Sequence, residues 1–317
     1  IFQKTGIYVP ELIFGHLLTS SNYDDNEQKV TGGRNGFGAK LCNVFSTSFT
    51  IETYDSIQKK KYKQTWTENM SKMGKAKITD CKGEDYTKVT FTPDYAKFGM
   101  TGIDDDFEAL LKRRVYDLAG TSKVAVKFNG TRIPVRNFKK YMEMYTKAIK
   151  NERGEEAAMD KSEIVTANPD PRWEVGFAVS DGSFHQVSFV NSIATTSGGT
   201  HVNYIADQIC NRLAEVVKKK NKTGATLKPA QIRNHIFIFV NALIVNPAFN
   251  SQTKEQLTTK PSQFGSKCQL DDEFFKKVLK TDVMTNILHF AEKKADQILK
   301  KSDGNRRSRM NNPKLTD

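Results

Sequence analysis

The chain has 317 residues, enough for two domains that each bury a core. Apolar residues make up 38% and charged residues 27%, as in ordinary globular proteins, and no apolar run approaches the roughly 18–20 residues that cross a bilayer. Lysine and arginine number 49 against 36 acids, a net +13 that favours a polyanionic partner or a strongly solvated surface, with no membrane partner expected. Cys42, Cys81, Cys210 and Cys268 form no C-x-x-C pair and read as reduced thiols of an intracellular protein. The five histidines show no metal-ligand spacing. The chain opens at Ile1 inside what reads as ordered sequence, with no signal peptide or initiator methionine, so it is expected to be truncated at its N-terminus.

In chain order, Ile7–Leu18 is apolar, and Pro10 suits the first turn of a short helix. Thr19–Asp25 is a polar loop whose hydroxyls and amide can bond its own backbone or a ligand. Thr31–Ser46, TGGRNGFGAKLCNVFS, then places four glycines within seven residues, beside Arg34 and Lys40. Glycine lets backbone approach a ligand closely, and a helix from about Ala39 would aim free N–H groups at an anion. Two familiar phosphate motifs are excluded. Gly33, Gly36 and Gly38 run G-x-x-G-x-G rather than G-x-G-x-x-G, and Ala39 and Leu41 flank Lys40 where a P-loop needs G-K-[ST].

Phe49–Tyr54, Tyr62–Trp66, Ala76–Thr79 and Val89–Thr92 are short β-rich runs expected to form an antiparallel sheet. Asp104–Leu118 has helical spacing, Lys123–Phe128 reads as a strand, and Asn129-Gly130 signals a hairpin. Asn137–Lys150 reads as a helix and Asn151–Pro171 as an exposed connection. Trp173–Ser180 alternates, Asp181-Gly182 turns the chain, and Phe184–Asn191 is expected back as its partner strand. Ser197–Gly199 is a loop and Val202–Lys220 an amphipathic helix. Ile236–Ile244 is a strand buried on both faces, and Asp271–Lys301 is helical and basic. The tail from Ser302 is polar and expected to be loose. Both halves are thus α+β.

Three stretches carry a family resemblance: Ser20-Ser21-Asn22 in LLTSSNYDD, the glycine segment, and Gln252-Thr253-Lys254 in NPAFNSQTKEQLT. With RRVYDLAG, SFVNSIATT and FGSKCQL they resemble the eukaryotic type IIA DNA topoisomerases over essentially the whole chain. The resemblance implies a partial GHKL (Bergerat-type) ATPase α/β sandwich over 1–138. A transducer domain of ribosomal protein S5 domain 2-like fold would follow over 139–317.

It further implies that the nucleotide is ATP. Gly33, Arg34, Asn35, Gly36, Phe37, Gly38, Ala39 and Lys40 would wrap its phosphates, with Phe37 packing the loop, and Ser20, Ser21 and Asn22 would contact it. Gln252, Thr253 and Lys254 would bind it from the second domain. There Gln252 and Lys254 would reach the γ-phosphate, and Lys254 would stabilise charge developing on the transferring group.

The run Lys218-Lys219-Lys220 suits a helix C-terminus, yet three lysines exceed what capping requires. In the resemblance they touch double-stranded DNA, in contacts insensitive to sequence and sensitive to salt. The family's general-base glutamate and magnesium-holding asparagine are expected upstream of Ile1, and its DNA-cleaving tyrosine beyond Asp317. The resemblance implies an ATP-hydrolysing topoisomerase, a homodimer with Mg²⁺ as cofactor, in the nucleus. The rival readings are a non-enzymatic DNA-binding module and another ATPase of the GHKL group.

Overall fold

Proline lacks a backbone N–H, and Pro10 falls in the first turn of helix α1 (Val9–Gly15), where that donor has no helical partner. In this computed structural model the structure describes residues 6–24, 26–152, 164–221 and 226–307. Two compact units result, Ile1–Leu111 and Lys112–Asp317, divided within a helix at 105–121.

In the first unit, α1 and α2 (Gly38–Val44) precede a sheet built from β1 (Ser46–Asp55), β2 (Lys60–Thr67), β3 (Lys72–Met73), β4 (Lys77–Asp80) and β5 (Tyr86–Pro93). The order is β3-β2-β1-β5, with β4 also on β2, and every pairing is antiparallel, as the β-rich runs predict. Phe49, Ile51, Tyr62 and Trp66 form its core, with Phe14 and Cys42 packed against it from α1 and α2. β5 is exposed along its length up to Pro93.

The second unit holds most of α3 (Asp105–Thr121), the small hairpin β6 (Lys127–Phe128) and β7 (Thr131–Arg132), and α4 (Phe138–Glu152). Asn129-Gly130 makes the expected turn, but the strand before it has two residues rather than the six of Lys123–Phe128. Its main sheet contains β8 (Val165–Asp170), β9 (Trp173–Val179), β10 (His185–Val190), β11 (Ile193–Ala194) and, after α5 (Thr200–Lys220) and α6 (Pro229–Arg233), β12 (Ile236–Ala242). α7 (Asp272–Val278) and α8 (Val283–Arg307) complete it.

The strand order β11-β10-β12-β9-β8 corrects the expected hairpin. β9 and β10 are not neighbours: β12 lies between them, antiparallel to β9 and parallel to β10. All seven residues of β12 are buried, so it needs covered neighbours on both edges and both faces, and the centre of the sheet supplies them. Its even-numbered residues Ile236, Ile238 and Val240 join α5, α7 and α8 in one core, while Phe237 and Phe239 join α3 and α4 in another. Across that second core, the Tyr141 hydroxyl donates to the buried Asp117 carboxylate, tying α4 to α3.

Asn151–Pro171 also differs from expectation. Its residues 153–163 lie outside the described residues, but Val165–Asp170 is a strand. Pro169 is tolerated there because β8 is an edge strand with an irregularity between Ala167 and Asp170. The basic stretch from Asp271 is two helices, broken at Leu279–Asp282, and α8 continues to Arg307, past the point where the tail was expected to loosen. Residues 308–317 lie outside the described residues.

Candidate functional site

The glycine segment is fastened to the polar loop before it. The Asn22 amide donates to the Gly33 carbonyl at 2.7 Å, the Tyr23 hydroxyl to the Asn35 carbonyl at 3.2 Å, and the Lys40 ammonium to the Thr19 carbonyl at 2.7 Å. Thr19 is itself anchored, its hydroxyl donating to the carbonyls of Leu12 and His16. Ser20 accepts from the Asn22 backbone N–H, a local turn, and Lys29 donates to the Ser21 carbonyl. Ser20–Asn22 and Gly33–Lys40, read separately in the sequence, are therefore one construction. Tyr23, Thr19 and Lys29 belong to it as well; their only sequence signal is their place in or beside a polar loop.

The glycines divide into two kinds. Gly36 has φ +70°, and a Cβ there would lie 2.2 Å from the Thr19 carbonyl oxygen and 3.1 Å from the Lys40 ammonium. Any side chain at that position would force the segment to shift. Cβ atoms at Gly33 and Gly38 would meet nothing within 4 Å. Packing within the chain does not demand glycine at those two places, and the space beside them is open. α2 begins at Gly38, one residue before the expected start, with half-buried Phe37 at its N-cap and no side chain capping its first N–H groups. Those donors are oriented along the helix axis, toward its N-terminal side.

Lys40 is 2% exposed, and burial pushes its ammonium below the ordinary lysine range. It delivers its charge from beneath Gly36. Arg34 and Asn35 stand on the exposed side of the segment.

In the second unit, Asn250–Gln256 forms a loop closed at its base by backbone. Asn250 N–H donates to Gln256 O, Thr258 N–H to Ala248 O, and Phe249 pairs with Leu257. Ser197–Thr200 clamps the same base: Ser197 N–H donates to Glu255 O, Leu257 N–H to Gly198 O, and Thr200 N–H to Leu257 O. Gly199 permits this approach, since a Cβ there would lie 2.5 Å from the Leu257 carbonyl oxygen, and its φ is +138°. Leu257 is buried beneath.

At the tip, Ser251 and Thr253 share a hydroxyl hydrogen bond of 2.8 Å, Gln252 is exposed, and Lys254 is half-buried with φ +60°. Burial lowers the proton affinity of Lys254 from the ordinary lysine value. A partly desolvated ammonium on a closed loop binds an anion more strongly than a fully hydrated one. The clamp from Ser197–Thr200 was read only as a loop in the sequence.

Lys218, Lys219 and Lys220 are exposed in the last turn of α5. Among the described residues, no group of three or more His, Cys, Asp and Glu side chains is placed to hold a metal ion. No helix among the described residues is long and apolar enough to cross a membrane.

The first unit carries the glycine segment ahead of an antiparallel sheet, and the second is a three-layer α+β unit with helices on both faces of its mixed sheet. A family model described as DNA gyrase B matches residues 137–312. The chain is 83% identical over 315 residues to DNA topoisomerase 2 of Penicillium chrysogenum, covering 99% of this chain and 20% of that protein. It is 54% identical over 327 residues to DNA topoisomerase 2 of Saccharomyces cerevisiae, covering 100% of this chain and 23% of that protein.

Among solved structures, the ATPase region of S. cerevisiae topoisomerase II aligns with TM-score 0.82 and 52% identity, over 91% of this chain and 72% of that one. The ATPase and transducer domains of DNA topoisomerase II from Balamuthia mandrillaris align with TM-score 0.83 and 43% identity, over 92% and 73%. The chain belongs to the DNA gyrase B and topoisomerase II family, with the GHKL-type ATPase and transducer fold. It spans about a fifth of the length of the curated relatives it matches.

Proposed function

We propose that this chain is the ATP-binding, gate-closing portion of a type IIA DNA topoisomerase, coupling ATP hydrolysis to capture and passage of a DNA duplex. The observation that carries the reading is the stitched glycine segment: hydrogen bonds from Asn22, Tyr23 and Lys40 fasten it, while Gly33 and Gly38 border open space. Backbone N–H groups of Gly33–Ala39 are the donors for the phosphates, and Lys40 supplies buried positive charge below them. Arg34 adds charge from the exposed side.

Gln252 and Lys254 are assigned to the γ-phosphate, with Lys254 stabilising the charge that develops as water attacks. What supports this is the family membership together with a half-buried lysine on a loop closed by backbone hydrogen bonds. Magnesium would arrive with the nucleotide. A contribution from the second unit would also make its placement depend on the γ-phosphate, as a nucleotide switch requires.

The relatives named DNA topoisomerase 2 support DNA as substrate; a duplex as that DNA, a homodimer as the working form and the nucleus as location belong to the same proposal. Lys218–Lys220 are assigned to the DNA backbone, because three exposed lysines follow one another where one or two would satisfy the helix end. The proposal keeps the boundary between the ATPase part and the transducer at 138/139, whereas the compact units divide at Leu111/Lys112.

The test is Lys254→Ala in the full-length protein. Turnover of ATP should fall at least about tenfold, as loss of a charge-stabilising group does, while the melting temperature stays near that of the parent. Unchanged turnover would remove Lys254 from the mechanism.

A further inference from the structure

Apart from both segments, the second unit contains a cavity of about 420 Å³ lined by Lys139, Lys277, Lys280, Thr166, Thr281 and Asp282. Its floor is apolar, from the buried side chains of the two residues before Thr166. Three parts of the chain meet there. Lys139 is the second residue of α4, Thr166 lies on edge strand β8, and Lys277–Asp282 runs from the last turn of α7 to the start of α8. Residues far apart in sequence thus bring three lysines to the lining of one concavity.

The charges around it are only partly answered. Lys277 pairs with Glu273 at 2.7 Å on the exposed side of α7. The ammonium groups of Lys139 and Lys280 have no ion pair or hydrogen bond among the described residues. Asp282 is the one acid in the lining, which keeps a net positive charge. Gathering like charges in a concavity is unfavourable until an anion enters, and the walls of lower dielectric then strengthen the attraction. Thr166 adds a hydroxyl, whereas the Thr281 hydroxyl already donates to the Val278 carbonyl. The volume falls in the range of small-molecule sites and is too small to admit a duplex.

We propose that this cavity binds a small molecule carrying two or more phosphate groups, at a place distinct from the glycine segment. The lysines pair with the phosphate oxygens, and the apolar floor takes the carbon skeleton where the ligand has one. The proposal does not depend on the assignment of the glycine segment, and its test must separate the two.

Amine-reactive footprinting of the full chain, read by mass spectrometry, does so residue by residue with inorganic pyrophosphate as probe. Saturating pyrophosphate should slow acylation of Lys139, Lys277 and Lys280 by at least about fivefold, as charge-assisted contact with phosphate requires, and leave exposed Lys59 and Lys218 unchanged. In the doubly substituted chain with Lys139→Gln and Lys280→Gln, protection of Lys277 should disappear while Trp173 fluorescence reports an unaltered unfolding midpoint. Equal protection of every surface lysine, no protection at all, or protection by a short DNA duplex but not by pyrophosphate would overturn the proposal.

Discussion

The glycine segment and the Asn250–Gln256 loop carry similar chemistry, small or polar residues around one lysine, but the chain holds them by different means. Side chains hold the first: Asn22, Tyr23 and Lys40 each donate to a carbonyl, in surroundings that are exposed or half-buried. Backbone holds the second, through six backbone hydrogen bonds or bridges at its base and a buried leucine beneath. A side-chain hydrogen bond contributes about 0.5–1.5 kcal/mol and can be exchanged for a ligand contact. A backbone clamp packed on a core cannot yield without disturbing the sheet and α5. The first segment is held by bonds that a ligand can exchange, and the second keeps its lysine in place.

The same substitution at two glycines separates these modes most sharply. Gly199→Ala pushes a Cβ to 2.5 Å from the Leu257 carbonyl at φ +138°. The clamp cannot relax, so the second unit should lose about 3 kcal/mol. Gly36→Ala places its Cβ still closer, 2.2 Å from the Thr19 carbonyl, but on a segment that can shift. Its cost in stability should be only about 1 kcal/mol, while nucleotide affinity collapses. The two tryptophans give separate readouts in urea, since Trp66 lies in the core of the first unit and Trp173 in that of the second. Equal losses at both positions would erase the distinction.

Acid sharpens the comparison from another side. His201, in the first turn of α5 beside the clamp, is fully buried and hydrogen-bonded through Nε2 to Thr195, and burial holds its pKa down at about 3. The unfolded chain binds this proton near pH 6.5. Stability of the second unit is therefore complete above about pH 6.5 and should fall as pH drops toward about 3, by up to about 1.4 kcal/mol per unit. His201→Asn should flatten that slope in Trp173 fluorescence and leave the Trp66 signal as it was. A slope that survives the substitution would shift the cause to other groups.

The smallest effect is expected at Asn22. Asn22→Ala removes one donor to the Gly33 carbonyl at an exposed position, so the first unit should lose less than about 1 kcal/mol while nucleotide binding weakens about fivefold. Titration of a fluorescent ATP analogue measures the second number. An affinity equal to that of the parent chain would mean that the stitch does not shape the segment.

What the sequence revealed follows the same division between local and distant causes. The glycine segment was legible because its glycines, cations and following helix are consecutive. β12 was legible because a near-continuous apolar run, interrupted only at Asn241, calls for cover on both faces. The order of strands was not. Asp181-Gly182 is a strong local turn signal, and nothing near it says that a strand more than fifty residues later enters between β9 and β10. β8 was hidden by Asn168 and Pro169, which an edge strand tolerates. The clamp on Leu257 was hidden for a similar reason: backbone contacts leave no side-chain signature except the glycine that admits them.

The central claim, that the glycine segment holds the phosphates, is tested most directly by hydrogen exchange of backbone amides with and without a non-hydrolysable ATP analogue. The amides of residues 33–40 should gain protection, dependent on the γ-phosphate, while those at the base of the 250–256 loop, already locked by backbone bonds, change little. Unaltered exchange over 33–40 at a nucleotide concentration that protects amides elsewhere in the chain would contradict the account.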